Sequence, residues 1–187
     1  MPPRAWGLVL ALLLSTSVPV SSAPGLPDDG VARLDHVRST ESWVLALLDQ
    51  GAAESPTLER LLAQLQQTDT IVYVQPGICA FGHFRACLPN FVARSGSVRY
   101  LRIVFDPHQA RGPQLIALIG HELQHAVEIA RAPAVHDADG MGRLFRKIGI
   151  SPACPKALPD CFETDAARLA GDSILEELWI STSGSTR

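Results

Sequence analysis

The chain reads His121-Glu122-Leu123-Gln124-His125 in the middle of a segment whose composition predicts a buried helix. On a helix, residues four apart project from the same face, one turn apart, so both histidines can reach a single metal ion. Glu122 lies between them, offset around the helix, where its carboxylate can contact a water at the metal without binding the metal itself. The spacing therefore predicts a zinc site on this helix, with Glu122 as the base beside it.

The flanking residues predict that this helix runs from about Pro113 to Arg131. Pro113 suits a first helical position, where its missing N–H costs nothing, and Pro133 stops the helix soon after Arg131. Apolar residues cover nearly the whole surface: Leu115, Ile116, Leu118, Ile119, Leu123, Ala126, Val127, Ile129 and Ala130. Three titratable side chains are unfavourable in such a helix unless they are paired or bind a metal. The alternative, an amphipathic helix whose histidines and glutamate face water, has little polar surface to support it.

The His-Glu-x-x-His pattern resembles that of zinc metallopeptidases, whose catalytic zinc commonly has three protein ligands and one open position. A metzincin would place a histidine at position 131, and Arg131 excludes that subclass. Gluzincins take a glutamate from a second, downstream helix, and residues 162–167 resemble that helix. The resemblance implies Glu163 as the third ligand, with Ala166 as the small residue that follows it. Ala167 stands where an aspartate is often found, so the resemblance assigns no partner that would orient the histidines.

Other interpretations of these acidic residues stay open. Glu163 follows Asp160 by three residues, so the two could instead form a reciprocal capping interaction at a helix start. Asp165 is the nearest alternative ligand. Glu128 shares a helix face with His121 but lies two turns away, so we do not expect it to reach the metal.

The resemblance also implies a mechanism. Bound Zn²⁺ would lower the pKa of its water to about 7, and Glu122 would accept the proton as that water attacks a peptide carbonyl. Gluzincins usually add a His, Tyr or Arg donor for the oxyanion, and His136 and Tyr100 are the candidates here. His136 can equally be an ordinary exposed loop histidine.

The first 23 residues are typical of an export signal. Arg4 is the only charge before a compact apolar run at residues 8–14, and Ser21, Ser22 and Ala23 offer small residues for cleavage. The run is too short to be a comfortable membrane span, although an uncleaved N-terminal anchor is the alternative. We therefore expect a secreted or periplasmic protein with no stable membrane span after signal cleavage.

Four cysteines, Cys79, Cys87, Cys154 and Cys161, follow the signal segment. An even count in an exported protein predicts two disulfides, for which three pairings are possible. The local pairings, Cys79–Cys87 and Cys154–Cys161, are favoured because each brackets turn-rich sequence. A four-cysteine zinc site is the alternative, but the spacings lack the short C-x₂-C turns that such sites use.

The composition predicts one folded domain over residues 24–187. Charged residues make up 19% of the chain and hydrophobic residues 47%, a balance that argues against disorder. The formal net charge is −3 with no basic stripe, so we do not expect a nucleic-acid partner.

The predicted fold is α+β, a small zincin-like domain with a short, mostly antiparallel sheet packed on the active-site helix and the glutamate helix. Extra N-terminal helices are predicted over 31–50, ending at Gly51, and after Ser55-Pro56. Strands are predicted over 70–74 and 98–105, a short helix over 140–148 after Asp137, and a last helix over 161–180 capped by Asp160. The second strand alternates apolar and charged residues, which predicts one exposed face. The resemblance makes this strand the sheet edge that lines the cleft, and an interior strand is the alternative.

The leading functional hypothesis is an exported zinc metallopeptidase that acts on a peptide or protein substrate. One alternative is a non-catalytic zinc-binding or scaffold protein of the same fold. A second alternative is a zinc hydrolase of a non-protein amide, because the residues do not separate one kind of amide from another.

Overall fold

The computed structural model describes residues 34–79, 84–150 and 162–184. These residues form an α+β structure with five helices and a small mixed sheet. The helices are α1 (Ser42–Glu54), α2 (Pro56–Gln66), α3 (Gly112–Ala130), α4 (Ala138–Ile148) and α5 (Asp165–Gly184). The strands are β1 (Val37–Arg38), β2 (Thr70–Pro76), β3 (Ala86–Cys87), β4 (Ala93–Ser95) and β5 (Val98–Phe105).

The sheet is mixed rather than mostly antiparallel. Its order is β1-β2-β5-β3, and β4 also pairs with β5. The pairs β1–β2 and β2–β5 are parallel, whereas β3 and β4 run antiparallel to β5. The expectation that β5 forms the sheet edge is therefore wrong, because β5 has partners on both sides. The chain between β2 and β5 returns along β5 as β3 and β4 and forms the edge itself.

The two faces of the sheet differ in burial. Five side chains on one face lie in the hydrophobic core with the helices: Val72, Val74, Leu101, Ile103 and Phe105. On the opposite face, Tyr73 stacks on Tyr100 with ring centroids 6.5 Å apart, and Arg102 is exposed. Side-chain alternation along β5 was thus predicted correctly. The charged residues do not share the exposed face, however, because Arg99 points into the core and is only 1% exposed.

The segment before α2 differs from its prediction. Residues 31–50 were expected to form one helix or a broken pair, but the described part contains β1 followed by α1, which begins at Ser42. Helix α1 also continues through Gly51 to Glu54. A Cβ atom at Gly51 would lie 2.8 Å from Cγ2 of Ile116 on α3, so glycine is used here for close helix packing and not as a helix end.

Helix α2 starts as predicted. Ser55 is the N-cap residue, its side chain accepts from the N–H of Leu58, and Pro56 occupies the first turn. The sequence did not predict the part played by Glu177 on α5. Its carboxylate accepts hydrogen bonds from the Ser55 hydroxyl and from both the N–H and the hydroxyl of Thr57. Glu177 thereby joins α5 to the start of α2.

Helices α3 and α5 pack closely because glycine lies on each of them. A Cβ at Gly120 of α3 would come within 2.2 Å of the Ile174 Cδ1 atom. A Cβ at Gly171 of α5 would lie 3.3 Å from the Cβ of His121. The histidine helix is therefore held directly against α5.

Several predictions concern the remaining elements. Helix α4 is confirmed, with Asp137 accepting from the Gly140 N–H and Gly149 following the last turn. The disulfide Cys79–Cys87 is confirmed, with Cα atoms 6.1 Å apart. The proposed signal segment 1–23, the Cys154–Cys161 pair and the Asp160 cap lie outside the described residues. Among the described helices, none is both long and apolar enough to span a membrane.

Candidate metal centre

Three side chains converge in the structure as a possible metal-binding group: His121, His125 and Glu163. One potential ligand atom from each lies within 4.8 Å of the other two. The Oε1 atom of Glu163 is 3.5 Å from Nε2 of His121 and 3.7 Å from Nε2 of His125. These are the three residues that the sequence analysis placed at the metal.

The two distances from Glu163 to the histidine nitrogens are close to those around a small tetrahedral ion. Zn²⁺ binds imidazole nitrogen and carboxylate oxygen at about 2.0–2.1 Å, which places tetrahedral ligand atoms about 3.3 Å apart. The distances of 3.5 and 3.7 Å need only a small contraction to reach that value. Three protein donors leave a fourth position for water or a substrate. The group could therefore hold a metal ion.

Helix α3 supplies both histidines, one turn apart, with ring centroids 5.1 Å apart. Their environments differ. The His121 side chain is about one-fifth exposed and lies against Gly171 of α5, whereas His125 is buried. His125 also packs edge-to-face on Phe145 of α4, with ring centroids 5.3 Å apart, and Phe145 stacks in turn on Phe162.

Glu163 does not lie on a helix, contrary to the prediction. Helix α5 begins at Asp165, and the Thr164 hydroxyl accepts from the Ala167 N–H in its first turn. Glu163 lies just before this start and is held at two points. Its carbonyl accepts from the Ile150 N–H at 2.9 Å, and its Oε1 accepts from the Thr164 N–H at 2.8 Å.

Glu128 was expected to take no part in the site, but the structure places it beside His125. Its Oε2 lies 2.9 Å from the Nδ1 of His125, and its Oε1 accepts from the Thr164 hydroxyl at 2.7 Å. Glu128 is not one of the three residues of the possible metal-binding group. The sequence signal that could have found it is the spacing of three residues after His125, which places both side chains on one helix face.

Glu122 is partly buried beside the group. The main-chain N–H of Leu88, the residue that follows β3, lies near its carboxylate and stabilises the ionised form. Burial raises the pKa of Glu122 to about 7, although the nearby His125 and the Leu88 N–H both act to lower it. A divalent cation at the three ligands would lower this pKa further, because it stabilises the ionised carboxylate.

The two histidines are perturbed in opposite directions. Burial lowers the pKa of His121, against the opposing effect of Glu163, and so favours the neutral ring. Burial acts in the same direction on His125, but the hydrogen bond to Glu128 and the charges of nearby glutamates outweigh it and raise the pKa. A neutral imidazole nitrogen is the form that binds a metal.

The remaining candidates do not join the group. His136 is exposed between α3 and α4, and Tyr100 lies on the sheet face opposite the core, stacked on Tyr73. The structure therefore does not bring either proposed oxyanion donor to the ligands. The Asp165 side chain, the alternative third ligand, is 82% exposed and forms an ion pair with Arg168.

In comparisons with protein-family models, curated proteins and solved structures, nothing matches this chain. What the protein does must therefore be inferred from its own residues.

Proposed function

We propose that this protein is an exported zinc-dependent metallopeptidase in which Glu122 acts as the general base. The observation that carries the proposal is the convergence of His121, His125 and Glu163. Glu122 lies on the same helix as the two histidines, between them in sequence. Two imidazoles and one carboxylate form a ligand set typical of catalytic zinc. A structural zinc site would instead be closed by a fourth protein ligand.

The metal would supply Lewis acidity, polarising a substrate carbonyl and lowering the pKa of the attacking water. Glu122 is suited to take the proton from that water. It lies one residue from His121, its carboxylate lies near the Leu88 N–H, and it is not among the three residues of the possible metal-binding group. A general base in hydrogen-bond reach of the attacking water then returns the proton to the leaving amine.

The edge of the sheet supports a peptide as the substrate. The Leu88 N–H that lies near Glu122 belongs to the segment between β3 and β4, so this edge segment passes beside the proposed base. An extended peptide can add to such an edge through main-chain hydrogen bonds and present its carbonyl to the site. This is a different edge from the one that the sequence analysis proposed.

The location follows from the cysteines and the first 23 residues. The Cys79–Cys87 disulfide fits an oxidising compartment, and the signal-like segment provides a route there. We therefore place the activity outside the cytoplasm.

The test is hydrolysis of an unbiased peptide mixture by the purified, oxidised protein loaded with zinc, beside the Glu122→Gln variant. The amide of Gln keeps the shape but cannot act as a base. We expect the variant to bind one zinc and to lose peptide hydrolysis by at least about 100-fold.

Glu176→Gln is the matched control, because Glu176 is an exposed acid on α5, and it should hydrolyse peptides normally. Zinc binding without hydrolysis in the parent protein would exclude the peptidase and favour a non-catalytic zinc protein. Equal hydrolysis by the parent and Glu122→Gln would exclude Glu122 as the base.

A further inference from the structure

We propose that Glu128 and Thr164 are positioning residues, which hold the His125 ring for metal binding and join it to the segment that carries Glu163. This inference rests on the proposed metal centre but not on the proposed reaction. It depends on four hydrogen bonds that involve Glu128 or Thr164.

The first step concerns the two nitrogens of the His125 ring. Its Nδ1 lies 2.9 Å from the Glu128 carboxylate, while its Nε2 faces Glu163 at 3.7 Å. An ionised carboxylate can only accept, so the Nδ1 atom carries the proton. In the neutral ring, the lone pair is then on Nε2, the nitrogen that faces the other ligands. Glu128 thereby selects the ring form that can bind a metal through Nε2.

The second step concerns what orients Glu128. The Thr164 hydroxyl accepts from the Ala167 N–H at 3.1 Å, and its own hydrogen is then directed to Oε1 of Glu128 at 2.7 Å. Both oxygens of the Glu128 carboxylate are therefore engaged. The side chains of Glu128 and His125 are only 10% and 7% exposed, so water competes little for these hydrogen bonds.

The third step connects the two elements that supply ligands. Thr164 uses its main-chain N–H to hold Oε1 of Glu163 at 2.8 Å, and its side chain to hold Glu128. One residue thus fixes the third ligand directly and His125 through Glu128. Because both ligands are oriented before a metal arrives, binding should lose less side-chain freedom. This arrangement takes the place of the acidic partner that Ala167 cannot provide.

The test compares zinc affinity, measured by competition with a chromophoric chelator, among variants of the full mature protein. Glu128→Met keeps the volume but removes both hydrogen bonds, and we expect zinc affinity to fall by roughly 10- to 100-fold. Glu128→Gln can still accept from His125 and donate to Thr164, so it should lose less. Thr164→Val should also weaken zinc binding, and Thr164→Ser, which keeps the hydroxyl, should restore it.

A second readout separates positioning from general stability. Ring ¹⁵N NMR of the zinc-free protein, at a pH high enough that the His125 ring is neutral, should show the proton on Nδ1 in the parent and a mixture of tautomers in Glu128→Met. A merely structural contact would lower the free energy of unfolding without moving either the tautomer or the zinc affinity. Unchanged zinc affinity and tautomer in Glu128→Met would overturn the inference, as would unchanged zinc affinity in Thr164→Val if Glu128→Met does not fold.

These outcomes are distinct from failure of the proposed function. If Glu128 and Thr164 are positioning residues and the protein is not a peptidase, their variants lose zinc affinity although the parent hydrolyses no peptide. If the protein is a peptidase and Glu128 and Thr164 are not positioning residues, peptide hydrolysis depends on Glu122 while the Glu128 and Thr164 variants bind zinc as the parent does. A parent protein that binds no zinc would overturn both.

Discussion

Arg99 of β5 donates a hydrogen bond of 2.9 Å from its Nη1 atom to the main-chain carbonyl of Ile129, in the last turn of α3. The same guanidinium donates to the carbonyls of Ala130, Ala132 and Val135. Carbonyls at a helix C-terminus have no partner within the helix, and a cation is favourable there. Arg99 thus satisfies the end of the helix that carries both histidines.

Replacing Arg99 should strongly destabilise the protein. Arg99→Met would remove the hydrogen bonds that the buried guanidinium donates to four main-chain carbonyls, and the partner of Asp69, whose Oδ1 lies 2.6 Å from the guanidinium. A hydrogen bond to a charged group typically contributes about 1.5–3 kcal/mol, and we expect a loss of at least that order in the free energy of unfolding at pH 7, measured with urea. Arg102→Met, on the exposed face of the same strand, is the control and should change stability by less than about 0.5 kcal/mol. Equal effects of the two substitutions would contradict this account.

Glu177 should make stability dependent on pH in the acidic range. Burial acts to raise the pKa of this carboxyl, but the hydrogen bonds from Ser55 and Thr57 outweigh it and lower the pKa below its ordinary value near 4.5. A carboxyl with a lowered pKa in the folded state stabilises the protein above its unfolded pKa and loses that effect as the pH falls through the folded value.

We therefore expect Glu177→Gln to be about 1–2 kcal/mol less stable than the parent at pH 7. The difference should persist down to about pH 4.5 and shrink at lower pH, as urea denaturation at a series of pH values would show. Glu176→Gln, one residue away and exposed, should show no such change. A difference independent of pH would mean that the Glu177 charge is not what stabilises the start of α2.

Glu163 and Asp165 should differ sharply in zinc binding although they are two residues apart. Glu163→Ala removes a proposed ligand. The zinc affinity of this variant should therefore fall by more than the roughly 10- to 100-fold that is typical of losing a hydrogen bond to a ligand. Asp165→Asn should bind one zinc with the affinity of the parent, because Asp165 points into solvent. Zinc stoichiometry and chelator competition measure both. If Asp165→Asn lost zinc and Glu163→Ala kept it, Asp165 and not Glu163 would be the third ligand.

The contact between Gly120 and Ile174 should appear as a coupling between two substitutions. Gly120→Ala places a methyl group 2.2 Å from Cδ1 of Ile174, and the resulting overpacking should destabilise the protein by about 1–3 kcal/mol. Ile174→Val removes that Cδ1 atom. The double variant should therefore be more stable than the sum of the two single effects predicts, by at least about 0.5 kcal/mol. Strict additivity in urea denaturation would show that α3 and α5 do not meet closely at this point.

Elements with strong local signals could be predicted from the sequence. The Ser55-Pro56 helix start, the Asp137 cap and strand β5 occur where expected, because capping and β-branched runs act over a few neighbouring residues. Strand β1 was missed because two residues give no periodicity, and only pairing with β2 defines it. The parallel pairing of the long strands was also missed, since the direction in which a chain returns to a sheet is not a local property.

Three charged residues also depend on contacts between distant parts of the chain. Arg99, Glu128 and Glu177 each contact groups on another part of the chain, and the sequence predicted none of these contacts. Their side chains are ordinary surface types, so burial could not be inferred from residue type. Arg99 is buried and the two glutamates are partly buried, with partners whose hydrogen bonds offset the loss of hydration. Those partners become visible only when the helices and the sheet meet.

The sequence by itself determined that His121 and His125 share a helix face with Glu122 between them, because helix geometry sets the direction of side chains four residues apart. Only the tertiary structure decided which carboxylate completes the group, and how. Glu163 reaches the histidines from a segment outside α5 because Ile150 and Thr164 hold it there, while Glu128 turns toward His125 because Thr164 of the facing segment donates to it. Contacts between distant parts of a chain depend on how its elements pack, which no short stretch of residues specifies.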